Sequence, residues 1–292
     1  MQTLGFRCPA LGGVYLGDGS ECGVDDCPVC GNGVVDPGEQ CDPAGGAAGC
    51  DDGLECTNEC VCVCVKTPEG FCASGVSLLS RIALEDFPSN PAEGNDCWGY
   101  VSPSGREYAL MGVRNAMVVV EITDPANPII VGQVSHTDCL WGDIKVYQDH
   151  AYVVNECGGG LDVIDLSDVD NGNVTLVQRL TANGLQTSHD MAIDTDSGFL
   201  YLCLPNINSG RLVAYDLADP ANPALAGMMT FGNGGGGLHD VQVVTFTSGP
   251  YAGKQICFGA GEGRGLDIYD VTDKSNMFRI SRTTYPNLSY CH

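Results

Sequence analysis

A His-Asp pair stands twice at the head of an alternating apolar run, and a further histidine ends the sequence. These residues occur in TSHDMAID (187–194), GLHDVQVV (237–244) and SYCH (289–292). Imidazole and carboxylate groups bind zinc, manganese or iron, and they also form hydrogen bonds with polar small molecules. Their recurrence at one place relative to a strand raises the question of which fold brings them together.

Four segments of the chain share a pattern that explains this spacing. They are AMVVVEITDPANPIIVGQV (116–134), GLDVIDLSDVDNGNVTLVQRL (160–180), GRLVAYDLADPANPALAGMM (210–229) and GLDIYDVTDKSNMFRISRT (265–283). Each contains an alternating strand, an acidic residue, an Asp three positions later, an Asn three positions further on, and a second strand. Because Asp and Asn side chains bond their own backbone and Pro fixes φ, we interpret these residues as parts of a tight turn and not as catalytic groups.

A repeat of roughly 40–50 residues with several strands per unit is typical of a β-propeller. In the third repeat we predict four strands, over residues 189–194, 199–204, 211–217 and 224–231. The strand that begins with His-Asp is predicted to be the innermost one and to line the central channel. The sequence therefore predicts an all-β fold, a β-propeller of four-stranded blades with four blades present.

Composition divides the chain into a Cys-rich part, a connecting segment and the propeller. We assign residues 1–72 to a disulfide-stapled module, 73–94 to a linker with a closing outer strand, and 95–292 to the propeller. The predicted blades extend over about 95–135, 136–183, 184–233 and 234–288.

Both ends of the propeller segment indicate a longer ring. VQRLTANGLQTSH (177–189) aligns without a gap onto ISRTTYPNLSYCH (280–292), which places His292 at the position of His189. VSLLSRIAL (76–84) resembles an outer strand that has no inner strands before it. We therefore expect the sequence to be a fragment that holds four blades and the closing strand of a larger ring, with its export signal outside the given residues.

Equivalent inner-strand positions converge on one mouth of a propeller channel, so the recurring residues are expected to meet there. Asp143, Asp190 and Asp240 form one set, and His189, His239 and His292 form a second set, which Gly142 interrupts in the second blade. We favour the interpretation that these groups brace neighbouring blades by satisfying one another and nearby backbone groups. The alternative is a ligand site formed by all six side chains and, within it, a metal site formed by the three histidines.

Other motifs are interpreted as structural. GNGGGG (232–237) precedes a strand and not a helix, so it does not place a pyrophosphate at a helix N-terminus. Trp98 and Trp141 are expected to occupy matching blade positions and to pack between blades. Cys139 and Cys157 are expected to bridge two strands of one blade.

The charge of the chain limits its partners. The 13 Lys and Arg residues are opposed by 37 Asp and Glu residues, which gives a net charge of −24. Nucleic acids and anionic membrane surfaces both attract positively charged proteins, so neither is an expected partner. No apolar run approaches the ~18 residues that a membrane-spanning helix needs.

Of the 17 cysteines, 11 lie within residues 1–72. This density is typical of a disulfide scaffold and predicts an oxidising compartment outside the cytoplasm. Zinc is the competing explanation, but the Cys-Val-Cys-Val-Cys run at 60–64 lacks the paired ligand knuckles of a zinc ribbon. Asp36, Glu39 and Asp42 offer oxygen ligands for calcium, or are solvated loop acids, since their spacing does not match an EF-hand.

Several stretches resemble the choice-of-anchor B family of extracellular proteins, which is built from LVIVD-type β-propeller repeats. They are DCWGYVSPSGREYALMGV, LWGDIKVYQDHAYVVNECGGGLDVIDL, SHDMAIDTDSGFLYLC and GKQICFGAGEGRGLDIYDVTDKSN. The resemblance covers roughly residues 76–292. It implies about three further blades, hence a six- to seven-bladed ring, and a variable C-terminal surface anchor outside the given residues, but no defined activity. Separately, CGNGVVDPGEQCD (30–42) resembles the short Cys-rich repeats of secreted myxobacterial proteins.

These observations lead us to expect a secreted or cell-surface propeller that binds or displays a protein, glycan or matrix partner. Two alternatives are a metal-dependent, hydrolase-like enzyme that uses the His/Asp ring and a structural unit of an extracellular assembly. Calcium and a transition metal are the candidate cofactors.

Overall fold

The computed structural model describes Val35, Gln40, the backbone of β1 (Leu54–Cys56) and β2 (Cys62–Cys64), and residues 78–292. Contacts divide the chain into two units, Met1–Leu79 and Ser80–His292. In the first unit, β1 and β2 pair antiparallel. The rest of the predicted Cys-rich module lies outside the described residues.

The second unit contains four antiparallel sheets of four strands each, and in every sheet the strands follow in chain order. Blade 1 contains β3 (Gly94–Val101), β4 (Glu107–Val113), β5 (Ala116–Glu121) and β6 (Ile129–Ser135). Blade 2 contains β7 (Gly142–Tyr147), β8 (His150–Asn155), β9 (Leu161–Asp165) and β10 (Thr175–Leu180). Blade 3 contains β11 (Asp190–Asp194), β12 (Phe199–Cys203), β13 (Val213–Asp216) and β14 (Ala224–Met228). Blade 4 contains β15 (Val241–Thr245), β16 (Gln255–Ala260), β17 (Leu266–Asp270) and β18 (Phe278–Thr283).

Single-turn 3-10 helices occupy many of the connections, and residues 78–292 contain no α-helix. The 3-10 helices are Leu84–Asp86, Val169–Asn171, Ala182–Gly184, Asn208–Gly210, Phe231–Asn233, Gly249–Tyr251, Glu262–Arg264 and Lys274–Asn276.

The first strands of the four sheets lie side by side, because β3 contacts β7, β7 contacts β11, and β11 contacts β15. The later strands of each sheet follow outward from this inner set. Consecutive four-stranded sheets that meet through their first strands are the blades of a β-propeller. The predicted all-β propeller of four-stranded blades is therefore confirmed.

The buried hydrophobic side chains form separate clusters between neighbouring blades. One cluster of buried side chains joins blades 1 and 2, a second joins blades 2 and 3, and a third joins blades 3 and 4. The residues of β5 show why, since Met117 and Val119 face one cluster while Val118 and Val120 face another. A strand with both faces covered reads as a continuous apolar run, as AMVVV does at 116–120.

A tyrosine on the second strand of a blade fastens that blade to the next one. The Tyr108 hydroxyl donates to Asp170 Oδ1 at 2.7 Å, and the Tyr152 hydroxyl donates to the Pro220 carbonyl at 2.8 Å. Both rings are fully buried, and both acceptors lie in the turn of the following blade. Each ring thus contributes apolar burial while its hydroxyl keeps a hydrogen-bond partner.

The Asp and Asn residues of the repeat form the turns predicted for them. In the first repeat, the Asn127 backbone N–H donates to the Asp124 carbonyl at 3.0 Å, and Asn127 Nδ2 donates to Asp124 Oδ2 at 2.9 Å. In the third repeat, the Asn222 backbone and side chain make the same two bonds to Asp219. These groups close the reversal between the third and fourth strands, so their role is structural.

The segment before the first blade is expected to be the closing strand of a blade outside the given residues. Residues 78–83 form no strand. All four third strands of the described blades already pair with a fourth strand of their own, so none offers a free edge to it. Instead, Ile82, Leu84 and Phe87 pack against the face of blade 1 that carries Val118.

We predict that Gly227→Ala destabilises the propeller by about 1–3 kcal/mol, because overpacking a close contact costs this much. A Cβ at Gly227 in β14 would stand 1.9 Å from the backbone carbonyl oxygen of Lys274 in blade 4. Gly99→Ala in β3 is the matched control, since nothing lies within 4 Å of its Cβ position. Thermal unfolding of both variants measures the effect, and equal midpoints would contradict the close approach of blades 3 and 4.

Candidate functional site

The heads of the inner strands surround an open cavity of about 590 Å³, which we call the channel mouth. All four blades contribute to its lining. Asn95 comes from blade 1, Asp143 from blade 2, Asp190 from blade 3 and Asp240 from blade 4. The convergence follows from the fold, because equivalent positions on side-by-side inner strands face the same end of the channel.

The structure brings together all six side chains predicted for the ligand site. Asp143, His189, Asp190, His239, Asp240 and His292 all line the channel mouth. The ring centroids of His189 and His239 are 4.0 Å apart, and those of His239 and His292 are 4.4 Å apart. His239 is the most enclosed of the three, with 11% of its side chain exposed, whereas the His292 side chain is 71% exposed.

Each of these imidazoles has a carboxylate beside it. His189 Nδ1 lies 2.7 Å from Glu156 Oε1, and His239 Nδ1 lies 2.6 Å from Asp240 Oδ2. His292 Nδ1 approaches the same Asp240 oxygen at 3.4 Å. The carboxylates hold the His189 and His239 rings through Nδ1. The Nε2 atom of each ring takes no part in these two contacts.

The grouping differs from the predicted trio of histidines. Among the described residues, His239, Asp240 and His292 each offer a metal-ligating atom, and these atoms lie within 4.8 Å of one another. His189 is not in this group, since its Nδ1 pairs with Glu156 on a neighbouring blade. The metal set that the geometry favours therefore replaces one histidine by a carboxylate.

The carboxyl groups of Asp143, Asp190 and Asp240 lie close together, and the ammonium group of Lys145 lies beside two of them. Lys145 pairs closely with Asp143 and lies 3.9 Å from Asp190 Oδ1. Burial raises the pKa of Asp190 to about 10, and its hydrogen bond with Asp240 and the charge of Asp143 act in the same direction. Burial also raises the pKa of Asp240, but its hydrogen bonds with Asp190 and His239 outweigh burial and hold this pKa below its usual value. Asp190 therefore keeps its proton at neutral pH, while Asp240 is ionised.

Bracing of neighbouring blades is also present. Asp96 Oδ2 accepts a hydrogen bond from the Ile144 backbone at 2.8 Å, and Asp143 Oδ2 accepts one from the Met191 backbone at 3.1 Å. In each case the carboxylate of one inner strand satisfies the backbone of the next. The hydrogen bonds that brace blades thus involve Asp96 and Asp143, whereas the imidazole rings cluster at blades 3 and 4.

Sequence reasoning missed Asp96 and Glu156. Asp96 stands at the head of β3 as Asp143 does in β7, and the signal was an Asp two residues before Trp98. Matching Trp98 to Trp141 gives a register in which Asp96 and Asp143 do not correspond. In the structure, Trp98 lies opposite Lys145, with Lys145 Nζ 4.7 Å from the Trp98 ring centroid, so Asp96 corresponds to Asp143. Glu156 lies in the loop after β8, outside any repeated position, and carried no sequence signal.

The two tryptophans are both exposed, and they differ in position: Trp98 packs against Lys145 of the neighbouring blade, whereas Trp141 lies at the channel mouth. Trp98 is 42% exposed and Trp141 is 56% exposed. Trp141 lines the channel mouth, together with Tyr290, which is 50% exposed. Trp98 lines a separate cavity of about 230 Å³ with Lys145. The heads of the inner strands are occupied by polar groups, so the large ring of Trp141 lies at the rim.

A disulfide supports this rim. Cys139 and Cys157 are bonded, with their Cα atoms 5.6 Å apart, which confirms the predicted pairing within blade 2. The bond joins the segment before β7 to the loop after β8, which carry Trp141 and Glu156. The Glu156 backbone N–H also donates to the Trp141 carbonyl at 3.2 Å. Cys97, Cys203, Cys257 and Cys291 are free thiols among the described residues.

The calcium candidates Asp36, Glu39 and Asp42 lie outside the described residues. Within the part of the chain that the structure describes, no helix is long and apolar enough to cross a membrane.

Comparisons with known proteins agree with the repeat architecture. The profile of the LVIVD repeat matches residues 101–136 and 142–177, so the expected LVIVD repeats are confirmed in blades 1 and 2. No curated protein gives a significant match to the sequence.

Similar solved structures include a protein from Lactobacillus plantarum, at 10% identity and a TM-score of 0.46 over 82% of this chain and 66% of that chain. The periplasmic gluconolactonase of Pseudomonas aeruginosa has 13% identity and a TM-score of 0.47 over 82% of this chain and 65% of that chain. This chain spans just under two thirds of the length of either structure.

We predict that Asp96→Ala lowers the free energy of unfolding by about 1–3 kcal/mol, because the Ile144 backbone N–H loses its acceptor. Asp96→Asn is the control, since its amide oxygen can still accept this bond and is expected to restore most of the stability. Urea unfolding of the two variants beside the parent chain measures the difference. Equal losses in both variants would show that the hydrogen bond is not the stabilising interaction.

Proposed function

We propose that this chain is a carbohydrate-binding β-propeller module and that the glycan binds in the channel mouth. The observation that carries the proposal is the pair of exposed aromatic rings, Trp141 and Tyr290, on the wall of an acid-lined cavity. A cavity that combines apolar surface with a few convergent polar groups is the usual form of a small-molecule site.

The chemistry of the lining matches the two faces of a sugar. A pyranose ring has an apolar C–H face, which packs on an aromatic ring, and hydroxyl groups at its edge, which need acceptors. Trp141 and Tyr290 supply the aromatic surface, and both keep a polar group for hydrogen bonding. Glu156, Asp240 and Glu262 supply carboxylate acceptors around the same cavity.

Charge selects among sugars. The lining contains five carboxyl groups, of Asp143, Glu156, Asp190, Asp240 and Glu262, and the whole chain has a net charge of −24. Because like charges repel across an interface, sulfated and uronic-acid glycans are disfavoured. Neutral and amine-bearing oligosaccharides are the expected ligands.

The test uses the fact that the chain has two tryptophans. Trp98→Phe leaves Trp141 as the single indole, so its fluorescence reports on the channel mouth. An array of neutral, amino-sugar and anionic oligosaccharides identifies a binder, which is then titrated against this variant. We expect the emission of Trp141 to change on saturation with a neutral or amino sugar.

We predict that Trp141→Ala weakens binding of that sugar about 30-fold or more, as truncation of an aromatic anchor costs at least about 2 kcal/mol. Trp98→Ala is the matched control, because Trp98 is the other exposed indole and lines the separate cavity. Calorimetric titration measures both variants. Equal affinity of the Trp141→Ala variant and the parent, or binding of anionic glycans alone, would contradict the proposal.

We also propose that the protein is exported, belongs to the choice-of-anchor B proteins and carries an N-terminal Cys-rich module in which Asp36, Glu39 and Asp42 are the candidate calcium ligands. Support comes from the LVIVD matches, from the Cys139–Cys157 bond and from the cysteines of residues 1–72, because disulfides persist in oxidising compartments. Alkylation of the unreduced natural protein, followed by mass spectrometry, tests this. Labelling of all 17 cysteines without reduction would contradict it.

A hydrolase-like activity is the second candidate function. It is favoured by the Glu156–His189 pair at 2.7 Å, which has the geometry of a carboxylate-oriented general base facing an open cavity. Release of 4-nitrophenol from 4-nitrophenyl glycosides and acetate, with and without added zinc, measures it. Turnover that is equal in the His189→Ala variant would exclude this pair as its origin.

A further inference from the structure

Three of the five histidines of the chain meet at one place. His136 and His150 lie elsewhere in blades 1 and 2, whereas His189, His239 and His292 form a continuous row of contacting rings. Asp240 contacts two rings of this row, His239 at 2.6 Å and His292 at 3.4 Å. The cluster therefore combines the two ligand types that bind divalent transition metals in proteins.

We infer that the channel mouth binds one divalent transition metal ion of the zinc class, with His239, Asp240 and His292 as its protein ligands. Their ligating atoms already lie within 4.8 Å of one another. Zinc holds nitrogen and oxygen ligands at about 2.0–2.2 Å, so the direct contact between His239 and Asp240 must open and the three side chains must rearrange around the ion. His292 is the group that can move, because its side chain is 71% exposed.

The surroundings of the trio are those of a metal centre. Ligating histidines are commonly oriented by a carboxylate, and ions are stabilised by nearby negative charge. Glu156 holds His189, and the His189 ring packs edge-on against His239 at 4.0 Å, which fixes the plane of the ligand ring. Glu262 lines the same cavity and adds a further acid.

The ligand set selects the metal class. Calcium takes six to eight oxygen ligands and magnesium six, whereas this trio offers two imidazoles and one carboxylate. Three protein ligands also leave the fourth position of a tetrahedral ion open. That position faces the cavity that holds Trp141 and Tyr290, where a water molecule or a hydroxyl group of a bound molecule can occupy it.

Cobalt(II) is the probe for this site, because a tetrahedral Co²⁺ ion absorbs visible light far more strongly than the hydrated ion. The unreduced 292-residue chain, freed of metal with a chelator, is titrated with Co²⁺ at neutral pH. We expect one equivalent to bind with tetrahedral visible bands and without the near-ultraviolet thiolate bands that cysteine ligation would produce.

The decisive variant is His292→Ala, because it removes an exposed ligand that lies outside the strands of the four blades. We expect it to abolish the tetrahedral bands, and we expect Asp240→Asn to weaken binding. Glu156→Gln is expected to lower the affinity less than Asp240→Asn does, because Glu156 acts on the ligand ring of His239 only through His189. His136→Ala is the matched control and is expected to bind Co²⁺ as the parent does.

Three results would overturn the inference. They are the absence of Co²⁺ binding, bands that survive in the His292→Ala variant, and thiolate bands that place the ion on cysteines. The inference does not rest on glycan binding, since the titration contains no sugar. A metal-binding chain that ignores every oligosaccharide would disprove the proposed function alone, and a sugar-binding chain without Co²⁺ bands would disprove the metal site alone.

Discussion

The structure depends on the contact between consecutive inner strands. Neighbouring blades meet there without shared backbone pairing, so side chains must satisfy the groups that face the next blade. The carboxylates of Asp96 and Asp143 do this by accepting hydrogen bonds from the backbone of Ile144 and Met191. Tyr108 and Tyr152 make the corresponding link further out, with their rings buried and their hydroxyls bonded to the next turn. Because each repeat fastens the next one, blade orientation is set locally, as in other repeat architectures.

This constraint also produces the site. A repeated carboxylate at the head of every inner strand brings negative charge together at one end of the channel. Lys145 neutralises part of it, and the raised pKa of Asp190 shows that burial forces one carboxyl group to keep its proton. The residue before the carboxylate makes none of these bracing hydrogen bonds, and its type differs between blades. It is Asn95 in blade 1 and Gly142 in blade 2, but histidine in blades 3 and 4. The channel mouth therefore combines a carboxylate position that recurs in all four blades with a preceding position that is histidine only in blades 3 and 4.

Much of the fold could be predicted because the same residue pattern recurs in each of the four repeats. The Asp-x-x-Asn turns and the apolar runs beside them, such as AMVVV at 116–120, specify strands and reversals through local backbone chemistry alone. The meeting of His189, His239 and His292 followed from the same periodicity. Glu156 could not be predicted, since it comes from an irregular loop whose position is set by the Cys139–Cys157 bond. The exposure of Trp141 was missed for a related reason, because large aromatic residues usually pack inside and only the polar lining of the channel mouth keeps this ring at the rim.

The central claim is that His239, Asp240 and His292 act together as one binding centre at the channel mouth. The most direct measurement is an anomalous difference map, recorded at the zinc absorption edge from crystals of the 292-residue chain grown with equimolar zinc. The account predicts a single strong peak bonded to His239, Asp240 and His292, with its open side toward Trp141. A peak bonded only to cysteines, or no peak in the channel mouth, would contradict it.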